Sequence, residues 1–100
     1  MHEHPPLISI AVLKAKAGQR DALRAALSAL VPSTREEPGC LDYTLFELRD
    51  EPGSFYMRES FRDQAALDAH FATPYFQAFE KRVDELLDAP IRLVFLEKVA

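Results

Sequence analysis

Two ionisable side chains in this sequence sit among residues that should be buried, and they define the chemistry open to it. Glu59 lies in the run Phe55-Tyr56-Met57-Arg58-Glu59-Ser60-Phe61. Side chains on a strand alternate with period two, so Glu59 shares a face with Phe55, Met57 and Phe61. His70 lies in the next run, from Asp63 to Phe76. There Leu67, His70, Phe71 and Pro74 follow the i, i+3, i+4, i+7 spacing of one helix face. A carboxylate and an imidazole in facing apolar stripes suit proton transfer. Burial makes the carboxylate harder to ionise. An imidazole titrates near neutral pH and is the natural proton acceptor. His70 is then the candidate general base, with Glu59 as the partner that orients its ring. The structural alternative is that Glu59 anchors helix to sheet and His70 is a satisfied core histidine. The residues alone leave both open.

The aromatic side chains Phe55, Phe61, Phe71, Tyr75, Phe76 and Phe79 gather around the same strand and helix. Such a stripe is ordinary core material, but around a polar pair it can line a pocket for a flat hydrophobic ligand. The hydroxyls of Tyr43, Tyr56 and Tyr75 could each anchor a ligand oxygen. No third His, Cys or carboxylate stands at ligand spacing from Glu59 and His70, so no metal is expected. A glycine-rich phosphate loop, a nucleophile elbow and a dinucleotide fingerprint are all missing from the sequence, so no bound cofactor is expected. Cys40 is expected to be a small buried residue rather than a reactive thiol.

At 100 residues the chain makes one domain with a single modest core. Sixteen acidic against twelve basic side chains give a formal charge of -4. That balance repels phosphate backbones, so nucleic acid is not an expected partner. The one cysteine cannot form an internal disulfide and suits a reducing compartment. No run approaches the roughly 18 apolar residues that a membrane span needs. The start, Met1 to Pro6, is polar and proline-bearing, unlike a secretory signal. It reads as a flexible tail, on which His2 and His4 are metal-capable but isolated. A cytoplasmic protein is expected, with its domain at 7–100.

The elements that must position Glu59 and His70 follow in order. Leu7 to Lys14 is a strand, apolar on both faces. A helix from about Gln19 to Glu36 turns Leu23, Ala26, Leu27 and Leu30 inward, with a kink or looser turn near Pro32. Cys40 to Arg49 is the second strand, with Leu41, Tyr43 and Leu45 on one side. Asp50-Glu51-Pro52-Gly53 is a hairpin turn. Phe55 to Phe61 is the third strand. Asp63 caps the next helix, which breaks at Thr73-Pro74 and restarts there, running to Leu87. Its restarted part carries Phe76, Phe79, Val83 and Leu86 inward. Ile91 to Val99 is the last strand, with Ile91, Leu93, Phe95 and Val99 on one side.

This order predicts an α+β, ferredoxin-like β-α-β-β-α-β fold, a four-stranded antiparallel sheet with two helices on one face. Because the strands are apolar on both faces, the uncovered face needs a partner, and a homodimer packed sheet to sheet is expected.

Three phrases of the sequence carry a family resemblance. They are Glu37-Pro38-Gly39-Cys40-Leu41-Asp42-Tyr43, the stretch Phe55 to Asp63, and Ala66-Leu67-Asp68-Ala69-His70-Phe71-Ala72-Thr73-Pro74-Tyr75-Phe76. In these the chain resembles the antibiotic biosynthesis monooxygenase (ABM) domain family from Leu7 onward. The resemblance implies a dimeric α/β barrel built from ferredoxin-like halves. It also implies a cofactor-independent oxygenase that uses O₂ on quinols or polyphenolic small molecules. His70 would then be the base, Glu59 its partner, and Tyr43, Phe55, Phe61, Phe71, Tyr75 and Phe76 the wall around an aromatic substrate. The chain departs from many relatives by carrying Tyr75 where they have a second histidine, and Phe61 where they have tryptophan. With no tryptophan or asparagine, it does not match the haem-degrading branch. A dimeric binding module without turnover, an isomerase of sugar-derived signals and an RNA-binding domain share the topology. The acidic composition and the absence of glycine from Phe55–Phe61 speak against the RNA-binding domain.

Overall fold

The computed structural model describes residues 5–100, so the expectations for His2, His4 and most of the tail lie outside the described residues. The elements are β1 (Leu7–Lys14), α1 (Arg20–Arg35), β2 (Cys40–Glu47), β3 (Ser54–Phe61), α2 (Gln64–Phe71), α3 (Pro74–Glu80), α4 (Val83–Leu86) and β4 (Arg92–Leu96). The sheet order is β2-β3-β1-β4, and every neighbouring pair is antiparallel. This is the ferredoxin-like arrangement, with each helical crossover skipping one strand. No helix among the described residues is long and apolar enough to cross a membrane.

The helices cover one face of the sheet. On that face β3 contributes Phe55, Met57, Glu59 and Phe61, all buried, as strict alternation requires. Helix α1 answers with Leu23, Leu27, Leu30 and Thr34, spaced four, three and four apart. Pro32 lies inside α1 without ending it. The chain leaves the helix through tight i→i−3 bonds, Glu36 N–H to Ser33 O and Glu37 N–H to Thr34 O. That exit delivers Glu37 toward α2.

The β2–β3 hairpin closes through Gly53, whose φ of 93° suits glycine. Its N–H donates to a Glu47 carboxylate oxygen at 2.9 Å. Gly39 has a different reason to be glycine. A Cβ there would come within 2.3 Å of the Ala66 Cβ, so the missing side chain lets α2 sit against the start of β2.

Several expectations need correction. Leu41 does not join Tyr43 and Leu45 on the buried side. The register slips between Cys40 and Asp42, which makes Leu41 the extra residue of a bulge and leaves it exposed. Strand β2 stops at Glu47, short of Arg49. Pro74 is exposed, because capping by Thr73 starts a new helix there instead of continuing the stripe. The last helix ends at Glu80 rather than Leu87, and a short turn, α4, follows. Tertiary bonds hold this region: Lys16 N–H donates to Leu86 O and Asp88 N–H to Lys14 O, tying the segment to the end of β1. Strand β4 stops at Leu96, which pairs with Ile8. Strand β1 begins one residue earlier, so little partner strand remains to extend the ladder. Phe95 lies on this uncovered edge and is 52% exposed, outside the core.

Candidate active site

The site begins with the row of cross-strand neighbours Tyr43, Glu59 and Ser9, all on the helix side of the sheet and all buried. Glu59 is 4% exposed, and its Oε1 has no hydrogen-bond partner. Burial, reinforced by the negative charge of Glu37, pushes its carboxyl up to about 7. A carboxyl in that range exchanges its proton readily at neutral pH.

Glu59 lines a cavity of about 290 Å³ between the sheet and the helices. Met57, Ala11 and Leu93 form its floor, and Leu27 and Leu30 of α1 its roof. Tyr43, Phe71, Phe76 and Phe79 supply aromatic walls, and Leu13, Glu80 and Ile91 complete the lining. No Lys, Arg or His side chain lines it. The volume sits at the small end of ligand pockets and suits a compact ring system. Burial also holds the Tyr43 hydroxyl far above its ordinary range, so it stays a neutral hydrogen-bonding group.

His70 is fully buried, with 0% exposure, but it does not line the cavity. It stands behind the wall, its ring centroid 5.3 Å from that of Tyr43, 5.7 Å from Phe71 and 4.9 Å from Phe76. Phe61 lies 5.1 Å away. The turn between α2 and α3 makes this convergence. The Thr73 hydroxyl donates to the His70 carbonyl at 2.7 Å and accepts from Phe76 N–H at 3.3 Å. Phe71 and Phe76 are thereby directed at one imidazole.

The orienting carboxylate of His70 is Glu37, not Glu59. His70 Nδ1 is 2.9 Å from Glu37 Oε2, which also accepts from the Tyr75 hydroxyl. Nδ1 is accordingly the donor, because Oε2 offers only acceptor character. Nε2 is buried and without a partner. Burial and the hydrogen bond to Glu37 push the Tyr75 hydroxyl up to about 12. Tyr75 thus anchors the Glu37–His70 pair and stands outside the cavity lining.

Of the other residues that the sequence singled out, Tyr43, Phe71 and Phe76 line the cavity, while Phe55 and Phe61 lie in the core beside it. Phe79, one of the aromatics expected around a pocket, also lines it, whereas sequence reasoning missed Met57, Ile91 and Leu93 as lining residues, and Glu37 altogether. Glu37 follows Glu36 at a helix end and reads there as an ordinary solvated carboxylate. Its only signal is its place before Pro38-Gly39. Cys40 is half-buried, and burial followed by the charge of Glu37 raises its thiol, which disfavours a thiolate. No cluster of three or more potential metal ligands occurs among the described residues.

Comparison with known proteins is consistent with this architecture. A family model described as Antibiotic biosynthesis monooxygenase matches residues 6–82. The Mycobacterium tuberculosis protein named "Putative monooxygenase Rv0793" is 36% identical over 91 residues, covering 91% of this chain and 89% of that protein. An uncharacterized protein of Synechocystis sp. is 34% identical over 88 residues, 88% of this chain; the chain spans 60% of that protein's length. The crystal structure of PA3566 from Pseudomonas aeruginosa superposes with a TM-score of 0.94 at 38% identity, covering 100% of both chains.

Proposed function

The chain belongs to the antibiotic biosynthesis monooxygenase family, and from that premise we propose that it is a cofactor-independent monooxygenase of quinol-like phenols, with Glu59 as the base. One observation carries the assignment: the cavity's buried ionisable carboxyl is Glu59, its Oε1 is unpartnered, and its pKa is raised to about 7. His70, the base expected from the sequence, stands behind the aromatic wall. In this reading it positions Tyr43, Phe71 and Phe76.

The chemistry needs little from the protein beyond binding and proton handling. Glu59 takes the O–H proton of the bound quinol. The electron-rich phenolate passes one electron to O₂, and the two radicals combine to form a carbon–oxygen bond at a ring carbon bearing hydrogen. The O–O bond then breaks as that ring carbon loses its proton. The outer oxygen leaves as water, taking the proton that Glu59 returns. Quinol and O₂ thus give hydroxyquinone and water, and all four electrons that reduce O₂ come from the ring. An apolar cavity disfavours charged intermediates that escape into solvent and holds the reacting pair together.

The isomerase alternative draws less support. A sugar-derived substrate would need several polar partners, and the lining offers only Tyr43, Glu59 and Glu80. We also propose a homodimer. The open face of the sheet presents Ile8, Ile10, Val12, Val94 and Leu96 together with exposed Phe46 and Tyr56. Covering such a face stabilises the fold at about 25 cal/mol per Å² of apolar surface removed from water.

Oxygen uptake with a panel of hydroquinones and hydroxynaphthols tests the enzymatic reading. Wild type should consume oxygen with at least one of them, and Glu59→Gln should lower kcat roughly 100-fold or more. His70→Ala should act mainly through KM. Equal rates for wild type and Glu59→Gln on every active substrate would remove Glu59 from the mechanism.

A further inference from the structure

A second depression adjoins the cavity, and the two share Glu80 and Ile91 in their linings. The outer one, about 560 Å³, is bounded by Lys16, Val83, Asp84, Leu87, Asp88, Ala89 and Pro90 as well. It is preformed, because Lys16 N–H and Asp88 N–H bond across to Leu86 O and Lys14 O, and the Lys16 ammonium donates to the Asp84 carbonyl. Three carboxylates, Glu80, Asp84 and Asp88, face one ammonium there. At its inner end the cavity holds Glu59, 96% buried by its 4% exposure and with a free Oε1.

We propose that this acidic depression is the entrance to the cavity, that Glu80 and Ile91 form its neck, and that it selects neutral or cationic phenols over anionic ones. The proposal rests on the reading of the cavity as the substrate site. An anionic ligand would have to pass Glu80, which has no ion pair or hydrogen bond to mask it among the described residues, and then settle beside Glu59 with no cation in the lining. A neutral quinol meets no such barrier and loses its proton only inside. The same field favours release. A 2-hydroxyquinone is a vinylogous acid that ionises far more readily than the parent quinol, so the product leaves as an anion from a site built against anions. Exposed carboxylates act weakly through solvent, so each contributes a selectivity factor of roughly two to five rather than orders of magnitude.

The experiment uses three hydroquinones that differ only in one substituent: hydroxymethyl, carboxylate and aminomethyl. Their affinities are measured anaerobically by calorimetry, so that binding is read without turnover. Wild type should bind the carboxylate at least tenfold more weakly than the hydroxymethyl compound. Glu80→Lys should shrink that ratio about fivefold or more, and 0.5 M salt should compress it further. Ile91→Trp, with its fold checked by circular dichroism, should slow the association of all three, followed by stopped-flow mixing without oxygen, by narrowing the neck. Equal affinity for the three in wild type, an unchanged ratio in Glu80→Lys, or no effect of Ile91→Trp would each overturn the entrance. Failure of all three to bind would overturn it too. Charge-selective binding without oxygen uptake would instead leave the entrance standing and sink the monooxygenase reading.

Discussion

The raised carboxyl of Glu59 makes a thermodynamic prediction that requires no substrate. Its ordinary value is 4.5 and its value in the fold is about 7. That difference corresponds to about 3 kcal/mol. Between those two values the native state holds a proton that the unfolded chain has released, so stability falls as pH rises. The full stability is present below about 4.5, is lost at about 1.4 kcal/mol per pH unit, and levels off above about 7. Glu59→Gln keeps the shape and cannot ionise. Relative to wild type, the variant should therefore gain about 3 kcal/mol between pH 4.5 and pH 8, on top of any constant offset from its amide. In a domain of this size that is a relative rise in Tm of roughly 10 °C or more. Urea unfolding of both proteins at fixed concentration and at several pH values measures it. Other titrating groups cancel in the difference. Glu47, for example, is held down to about 2 by its hydrogen bond from Arg20 in both proteins. A difference that stays flat across this range would mean that Glu59 titrates normally, and the case for it as a neutral-pH base would fall with it.

Other consequences are equally concrete. Glu37→Ala strips the partner from a fully buried imidazole nitrogen and should cost about 1–3 kcal/mol in urea unfolding, whereas Tyr75→Phe, which spares the Glu37–His70 bond, should cost less than half as much. Gly39→Ala should destabilise by about 1–3 kcal/mol through its clash with Ala66, and adding Ala66→Gly should recover more than half of that loss despite the lower helix propensity of glycine. Ile10→Glu, on the open sheet face, should halve the mass seen by light scattering at micromolar concentration; an unchanged dimer would place the interface elsewhere.

The order and pairing of strands were legible because local signals agreed with tertiary needs. Alternation placed Phe55, Met57, Glu59 and Phe61 on one buried face, and Asp63 and Thr73 cap helices as their chemistry dictates, with Asp63 accepting from Ala66 N–H at 2.8 Å. The misses have a common cause. Leu41, the stop at Glu80 and the exposure of Phe95 depend on a bulge, on bonds to a distant strand and on the sheet edge, and none of these is written locally. Within the site, the identity of the unusual residues was visible but their partnership was not. Period two and period 3.6 say which face a residue takes, but not which of two carboxylates meets the imidazole. Glu37 reaches His70 from 33 positions away, through a helix exit that sequence spacing does not encode.

That rearranged partnership bears on why Glu59 is there at all. With the His70 Nδ1 bond made to Glu37, the anchoring role that the sequence also allowed for Glu59 is not the one it plays: its Oε1 meets neither the imidazole nor any other donor. Leucine or methionine at position 59 would extend the apolar row of Phe55, Met57 and Phe61 and remove a desolvation cost that grows as pH rises. A chain under pressure only to fold would gain from that change. A carboxyl kept buried, unpaired and beside a cavity is a local conflict with the fold's own rules, and such conflicts are expected where a site needs a group that the core does not. Glu59→Leu separates the two pressures in one protein. It should raise stability at pH 8 by at least as much as Glu59→Gln while abolishing oxygen uptake; a leucine variant that is destabilised at that pH would mean Glu59 supports the fold after all.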